Sequence, residues 1–445
     1  ERLSCILRRY SGIYAEWVID KYFDLQVLES DCIFVRMEIR KIQKVVFGIA
    51  VAASCLLNVG LCEASPIFDS CKDRLSNHTI ISFVGRVGSN IMSKRGPGNG
   101  EFVFSGLKVS HKFIQLLNMS SSSATSSIKS FMELPDDVIC DLQYCQIFQE
   151  IINEIKTQHA GRVDYVSNLY YNEDKTLSIG LEFEEFFNGI FPMNFGNQHD
   201  IKETLDDVYK RYMEKHYNTY LDHNLDPQTD FYLLSALKVK PEVFKEYEVI
   251  SSAETFTDIN GNERNLRWLR TTGSVQFDIE VTAVGQVRIY QHDMIANNLY
   301  MTYFQPMFKP SESLDDKTRR IQDIFNRLAY FINKSFGTLA SGTQTNLKSL
   351  TVPAMDIKTD IDLKPVLEGN MAALFRRNEI QNLYPQADSL FELRTLDNFN
   401  NEFSGSTDDV KRNPRDDKEE TINSPFVFVL MTKGTVMPLK VGVYY

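Results

Sequence analysis

The chain has no long run of basic residues: 48 Lys and Arg stand against 59 Asp and Glu, a formal net charge of −11. Phosphate contacts need clustered cations, so a nucleic-acid partner is excluded. Cysteine is scarce, with 7 in 445 residues, so the fold rests on a core and not on cross-links. Catalytic signatures are missing as well: there is no G-x-S-x-G elbow, no H-E-x-x-H pair and no C-x-x-C. The 7 histidines are scattered. His216 and His223, seven apart, could share a helix face, but a solvated or hydrogen-bonded role suits them better than a metal. The expectation is a protein without enzymatic activity, metal or cofactor. No internal repeat and no strong linker divides the chain.

What the sequence does have is apolar mass, 43% hydrophobic and 12% aromatic residues, enough for one large core. Met37 to Ala64 reads as a secretory signal peptide. Arg40, Lys41 and Lys44 form a basic head, Val45 to Leu61 is an apolar run, and Cys62-Glu63-Ala64 ends in the small residues a signal peptidase reads, with cleavage before Ser65. The run falls short of the roughly 20 residues of a membrane span. Residues 1–36 then form an upstream extension that the mature protein lacks. Residues 65–445 are expected to be one secreted, monomeric domain with no membrane attachment after signal cleavage. Removing 1–64 takes eight basic and eight acidic residues, so the net charge stays at −11, and it takes four cysteines. Cys71, Cys140 and Cys145 remain, and three thiols allow at most one internal disulfide. Cys140 with Cys145 requires a break in the helix carrying them; Cys71 with either one is equally open. In a secreted chain the sequons at Asn77, Asn118 and Asn333 are candidate glycosylation sites.

Strands and helices alternate without a βαβ rhythm, which gives an α+β class with large, mostly antiparallel sheets. Residues 68–95 predict a helix ending at Gly96-Pro97-Gly98-Asn99-Gly100. That run is a turn and no phosphate loop, because it lacks Lys-Ser/Thr and is followed by the strand Phe102-Val103-Phe104. Leu107 to Leu117 predicts a buried helix, and Ile128 to Leu134 a short one. Ile139, Leu142, Ile147, Ile151 and Ile155 trace the apolar face of an amphipathic helix. Its other face holds Asp136, Asp137, Asp141, Glu150 and Glu154 and would repel a heparin-type polysaccharide. Arg162–Tyr171 is strand-like, and Ile201 to Tyr220 marks a long amphipathic helix. Asp222 to Pro227 is a turn: Pro227 and Leu233 stand where a calcium loop needs Gly and Glu. Asp230–Val239 is a long apolar strand. Asn260-Gly261 signals a hairpin returning through Leu266–Leu269. Strands follow at Val275–Phe277, Val287–Tyr290 and Leu299–Phe304, then a helix over Leu314–Phe331. Leu350–Ile357 is a strand and Asp362–Leu367 a short helix.

The sharpest contrast lies near the C-terminus. Glu402 to Glu420 is polar and densely charged, with Val410 the only aliphatic residue after Phe403. Pro425–Met431 follows, apolar on both alternating faces, hence a strand buried on both sides. Lys433-Gly434 turns the chain into a last strand, Val436–Tyr445. A long exposed loop between buried elements is usually functional.

In their order, these segments resemble the serpin family across nearly all of 68–445. Phe102-Val103-Phe104-Ser105-Gly106-Leu107 is similar to an early strand motif, with Gly106 where Pro is usual. Ser167-Asn168-Leu169-Tyr170 resembles an Asn-x-aliphatic-aromatic strand. Ser235-Ala236-Leu237-Lys238-Val239-Lys240 resembles the long central strand, though Val243 or Phe244 replaces the family's following Trp. Val352-Pro353-Ala354-Met355-Asp356-Ile357 with Asp362-Leu363 matches a further block. Most specific are Asn423-Ser424-Pro425-Phe426-Val427-Phe428 and Pro438-Leu439-Lys440-Val441-Gly442. The resemblance implies three sheets, eight or nine helices and an exposed reactive-centre loop at Glu402–Ser424.

It also implies a mechanism. Inhibitory members are cut in this loop, whose N-terminal half then inserts into the main sheet and drags the acylated protease away. The hinge that slides in is small and uncharged in such members. Here the hinge is Gly405, Ser406, Thr407, Asp408 and Asp409, and the residues a trypsin-like protease would meet are Lys411, Arg412, Arg415 and Lys418. One register turns Thr407, Asp409, Lys411, Asn413 and Arg415 inward; the other turns Asp408, Val410, Arg412, Pro414 and Asp416 inward. Either buries at least three charges, each costing several kcal/mol if unpaired, and Pro414 lacks the donor a central strand needs. The resulting expectation is a non-inhibitory binding protein with a protease-sensitive loop. The alternatives are an active inhibitor of a trypsin-like serine protease and a carrier of a small hydrophobic ligand.

Overall fold

The computed structural model describes residues 66–96, 100–136, 138–174, 184, 186–213, 225–251, 254–271, 275–294, 298–341, 345–376, 379–380, 391–402 and 419–445. Every residue of the strands Phe426–Thr432 and Pro438–Tyr444 is buried, as apolar character on both faces requires. They pair as a hairpin inside a seven-stranded sheet. Pro438–Tyr444 is flanked on its other side by Phe102–Phe104. Phe426–Thr432 is flanked by Leu299–Pro306, and Gly285–Met294, Val275–Thr282 and Thr345–Leu347 complete the antiparallel order. Gly442 is needed where this sheet is tightest. A Cβ there would lie 2.5 Å from the Phe102 carbonyl oxygen and 2.5 Å from the Phe428 ring.

A second, four-stranded sheet runs Glu419–Thr421, Ser349–Pro353, Trp268–Thr271, Tyr247–Ile250. A third runs Phe391–Glu392, Phe231–Val239, Val163–Asn172, Gly189–Met193. Its first strand continues directly into Arg394–Asn400, which pairs antiparallel with Asp356–Asp362. The class is α+β with three main, mostly antiparallel sheets. Nine α-helices lie among the described residues.

Several predicted elements are divided. The helix expected over 68–95 is two, Pro66–Arg74 and Asn77–Arg95, because Ser76 caps the second by accepting a hydrogen bond from Thr79 N. The helix expected over 314–331 is Leu314–Asn326 and Leu328–Ser341, and the strand 350–357 is Ser349–Pro353 and Asp356–Asp362. The amphipathic helix from 139 begins at Asp141, and its stripe is rotated. Ile139 is 61% exposed, while Tyr144, Cys145, Ile147, Phe148, Ile152 and Ile155 face the core. Its acidic face is also partly engaged, since Asp141 pairs with the buried Lys129 at 2.8 Å. Asn260-Gly261 does form a turn, with Gly261 at φ 88°. The return pairing is Phe256–Thr257 with Glu263–Arg264, and Trp268–Thr271 joins the second sheet instead. The helix from 201 spans Gln198–Met213; its predicted extension to 220 and both histidines lie outside the described residues.

The disulfide is Cys71–Cys140, with Cα atoms 5.5 Å apart. Cys145 is a free, buried thiol. Its Sγ takes a hydrogen bond from Asn118 Nδ2 at 2.9 Å, and burial pushes its pKa far up.

Candidate functional site

The third sheet contains an opening. Phe231–Val239 and the 391–400 segment run parallel and share a ladder only at Phe391 with Phe231 and Glu392 with Tyr232. Beyond Glu392 no ladder joins them, although both strands continue. Backbone alternation shows which groups face the gap. Leu393 O accepts from Leu363 N, so odd-numbered residues of this strand address Asp356–Asp362 and the backbone groups of Arg394, Leu396 and Asn398 address the gap. On the other side Asn172 N donates to Asp230 O and Lys240 N to Arg162 O, so Leu233, Ser235 and Leu237 turn theirs to it. The result is a slot wide in hydrogen-bonding capacity and bounded by two central strands.

Both faces of the slot are covered. On one, the helix Gln198–Met213 packs Ile201, Leu205 and Tyr212 against Tyr170, Tyr232, Leu234, Ala236 and Leu396. On the other lies Gly106–Met119, all of whose residues are buried. Its Lys108, His111, Lys112 and Gln115 recur at helical spacing and form a polar stripe. Gln115 Nε2 donates to Ser167 Oγ at 3.3 Å and His111 Nδ1 lies 2.6 Å from Tyr165 Oη. Burial and Lys156 push His111 down to about 3, so the ring is neutral.

Asp397, fully buried, is the centre of this lining. It pairs with Lys108 Nζ at 2.9 Å and Lys440 Nζ at 2.7 Å, both lysines 1% exposed. It also accepts from Ser105 N at 3.1 Å and Thr395 Oγ1 at 2.6 Å. Burial alone would raise the carboxyl, but Lys108 and Lys440 outweigh it and hold it below its ordinary value. The lysines reach the slot's own carbonyls: Lys108 Nζ donates to Leu396 O, Lys112 Nζ to Arg394 O, and Lys440 Nζ to Leu237 O at 3.4 Å. Burial pulls Lys108 down to about 8 against the support of Asp397, and burial with the nearby Lys108 pulls Lys112 to about 7.

The slot's open end leads into the charged loop. Arg394–Asn400 ends where Asn401, buried, accepts from Met355 N at 2.7 Å and donates to Pro353 O at 3.2 Å. Glu402 pairs with Arg267 at 3.1 Å. On the far side of the loop Glu419 faces Arg270 at 3.8 Å and Glu420 faces Arg288 at 3.5 Å. Glu419–Thr421 is a strand of the second sheet and Ile422 is buried, so the loop expected over Glu402–Ser424 ends before Glu419.

Three main, mostly antiparallel sheets with nine described helices are the architecture that the motifs implied. The family model described as Serpin (serine protease inhibitor) matches residues 83–445. The chain belongs to the serpin family. Solved serpin structures share its fold at low identity. Maspin is 15% identical with a TM-score of 0.64, covering 85% of this chain and 99% of its own. Mouse protein-Z dependent protease inhibitor is 13% identical at 0.64, covering 86% and 99%. Human glycosylated kallistatin is 14% identical at 0.63, covering 82% and 96%. A search of curated proteins finds no match. The family's description names it as one of serine protease inhibitors.

Of the site residues expected from sequence, Gly405, Ser406, Thr407, Asp408, Asp409, Lys411, Arg412, Arg415 and Lys418 lie outside the described residues of this serpin. Asn77 and Asn333 are exposed, and Asn333 Nδ2 sits 3.0 Å from His78 Nδ1, so the two sequons share one patch. Asn118 is a correction. Its amide nitrogen is inside, donating to Asp141 O at 3.0 Å and to Cys145 Sγ, and this packing has no room for a sugar. Sequence reasoning missed the lysine–aspartate lining. A signal was present: Lys108 and Lys112 sit four apart in a stretch otherwise read as a buried helix, and Lys440 is a lone charge in an apolar strand.

Proposed function

We propose that this protein is a secreted, non-inhibitory serpin that acts by binding, with residues 403–418 as an exposed, protease-sensitive surface. One observation carries the reading: the inner wall of the slot is already occupied by three buried lysines and a single buried carboxylate, which pairs with two of them. A segment entering in one register would bring Asp409, Lys411 and Arg415 into that space, and in the other Asp408, Arg412 and Asp416. Each of these charges costs several kcal/mol if it stays unpaired away from solvent. Secretion is supported by the signal-like segment Met37–Ala64 and by the disulfide Cys71–Cys140, a bond that persists in oxidising compartments.

The experiment is incubation with trypsin, followed by denaturing electrophoresis and a heat scan of the products. The reading expects clipping after a loop Lys or Arg, no stable covalent complex, and a nicked protein no more heat-resistant than the intact one. A covalent complex, or a large gain in melting temperature on nicking, overturns it. A second reading, inhibition of a trypsin-like protease through Arg412 or Arg415, is favoured by the open slot itself, and the same experiment decides between the two.

A further inference from the structure

We propose that Asp278–Thr282, the open edge of the seven-stranded sheet, docks a second copy of this chain, strand beside antiparallel strand about a two-fold axis at Glu280. The monomer expected from sequence is then one half of a pair. The inference draws on neither the slot nor the loop, and it goes beyond the proposed function.

Val275–Thr282 is the last long strand on its side of the sheet, and Thr345–Leu347 covers it only from Val275 to Phe277. Alternation fixes what the remainder presents. Gln286 O accepts from Met307 N, so even-numbered residues of Gly285–Met294 address Leu299–Pro306 and odd-numbered ones address Val275–Thr282. Asp278, Glu280 and Thr282 stand opposite Ile289, Val287 and Gly285 and answer them. The N–H and C=O of Ile279 and Val281 therefore turn outward, where no strand meets them among the described residues. The side chains carry the same message. Ile279 is 43% exposed and Val281 69% exposed, and two residues apart they share one face of the strand. An open edge bearing exposed aliphatic residues is a template for a further strand. In the single chain Asp278 Oδ1 holds Ile279 N–H at 2.8 Å, a charged guard on that edge.

The segment is complementary to itself. With the axis at Glu280, Ile279 lies opposite the copy's Val281, and Val281 opposite the copy's Ile279. Both pairs are of the hydrogen-bonded kind, so backbone bonds form in each and the four aliphatic side chains gather on one face. On the other face Glu280 meets the copy's Glu280. Like charges directly opposite are destabilising, but each carboxylate is already engaged within its own chain. Lys334 Nζ pairs with Glu280 Oε2, and Tyr330 Oη donates to Oε1 at 2.7 Å. The helix that supplies these groups leaves space for the copy. Leu328–Ser341 packs Phe331 on Phe304 of Leu299–Pro306, two strands further in, and Tyr330 and Lys334 reach outward from there. A contact that uses the same patch on both partners closes at two, so the occupant is one copy and not a filament.

The test is sedimentation equilibrium of the full chain from about 1 to 100 µM, a range that brackets modest affinities. The wild type is expected to pass from the mass of one chain to that of two. Val281→Glu, at an exposed position, sets a second charge on each side of the axis and should weaken association at least about tenfold. Asp278→Ala releases Ile279 N–H for the copy and should tighten association about tenfold, in line with one charge-assisted bond. Asp278→Cys with Thr282→Cys checks the register. These positions face each other across the axis with Cα atoms about 4.5 Å apart, within disulfide reach. Inside one chain four residues of strand keep them about 13 Å apart, so oxidation should yield a covalent pair. Single-chain mass for both wild type and Asp278→Ala at every concentration overturns the proposal, as does a dimer that Val281→Glu leaves intact. Should Val281→Glu fail to fold, Val281→Lys makes the same comparison.

Discussion

Asp397→Asn tests the electrostatic account of the slot most directly. The wild-type carboxylate is fully buried and faces two ammonium groups at 2.7 and 2.9 Å. The substitution keeps shape and leaves an acceptor for Ser105 N and Thr395 Oγ1, but removes the negative charge that Lys108 and Lys440 share. Removing one partner of a buried pair costs about 3–5 kcal/mol, a large part of a total stability of about 5–15 kcal/mol. Lys108 has one escape, which is to shed its proton. The penalty should therefore shrink as pH rises, by up to about 1.4 kcal/mol per pH unit once it is neutral. The wild type follows the same logic more weakly. Lys108 at about 8 and Lys112 at about 7 lie below their ordinary 10.5, so from about pH 7 upward the unfolded chain binds more protons and folded stability rises. The gain ends near pH 10, where the buried Tyr165 and Tyr303, raised by desolvation, resist the ionisation available to the unfolded chain. Urea unfolding followed by the fluorescence of Trp268, which is 1% exposed, gives the midpoints at pH 6, 7, 8 and 9. A loss below about 1 kcal/mol at pH 7, or a loss that is the same at pH 6 and pH 9, refutes the charge argument.

Two other perturbations follow from the covalent structure. The Cys71–Cys140 bond closes a loop with a sequence separation of 69, so Cys71→Ser with Cys140→Ser should destabilise the protein by about 4 kcal/mol on the chain-entropy estimate; a urea midpoint unchanged from wild type would show that the bond contributes nothing. Expression in a secreting eukaryotic host should place glycans at Asn77 and Asn333, with Asn77→Gln and Asn333→Gln each lowering the mass released by glycosidase. Asn118→Gln should leave that mass unchanged and lower stability through its buried amide contacts; a glycan found on Asn118 contradicts the packing.

Much of the architecture is legible in local patterning, because the patterns report burial on the scale of one turn or one pleat. The apolar run before Met431 could only be a strand covered on both sides, and so it is. The motifs from Phe102 to Gly442 carried the family. Boundaries were less secure. Ser76 divides a run that reads as one helix, since its cap competes with continued winding. The rotation that exposes Ile139 was set by the neighbours of Tyr144 and Phe148 and not by the isoleucine spacing.

The sequence alone settled the α+β class, the ionic character of the loop and its position between buried strands, because these depend on residue types close together in the chain. Only the tertiary structure decided that Cys71 pairs with Cys140, that Asn118 points inward, and that Lys108, Asp397 and Lys440 meet. Lys108 lies far from the other two in the chain, and Asp397 and Lys440 are 43 positions apart, so local patterning shows single charges in apolar surroundings but not their meeting. A carboxylate and two ammonium groups become a tightly coupled buried cluster only once sheets and helix close around them and remove the water that would otherwise screen them.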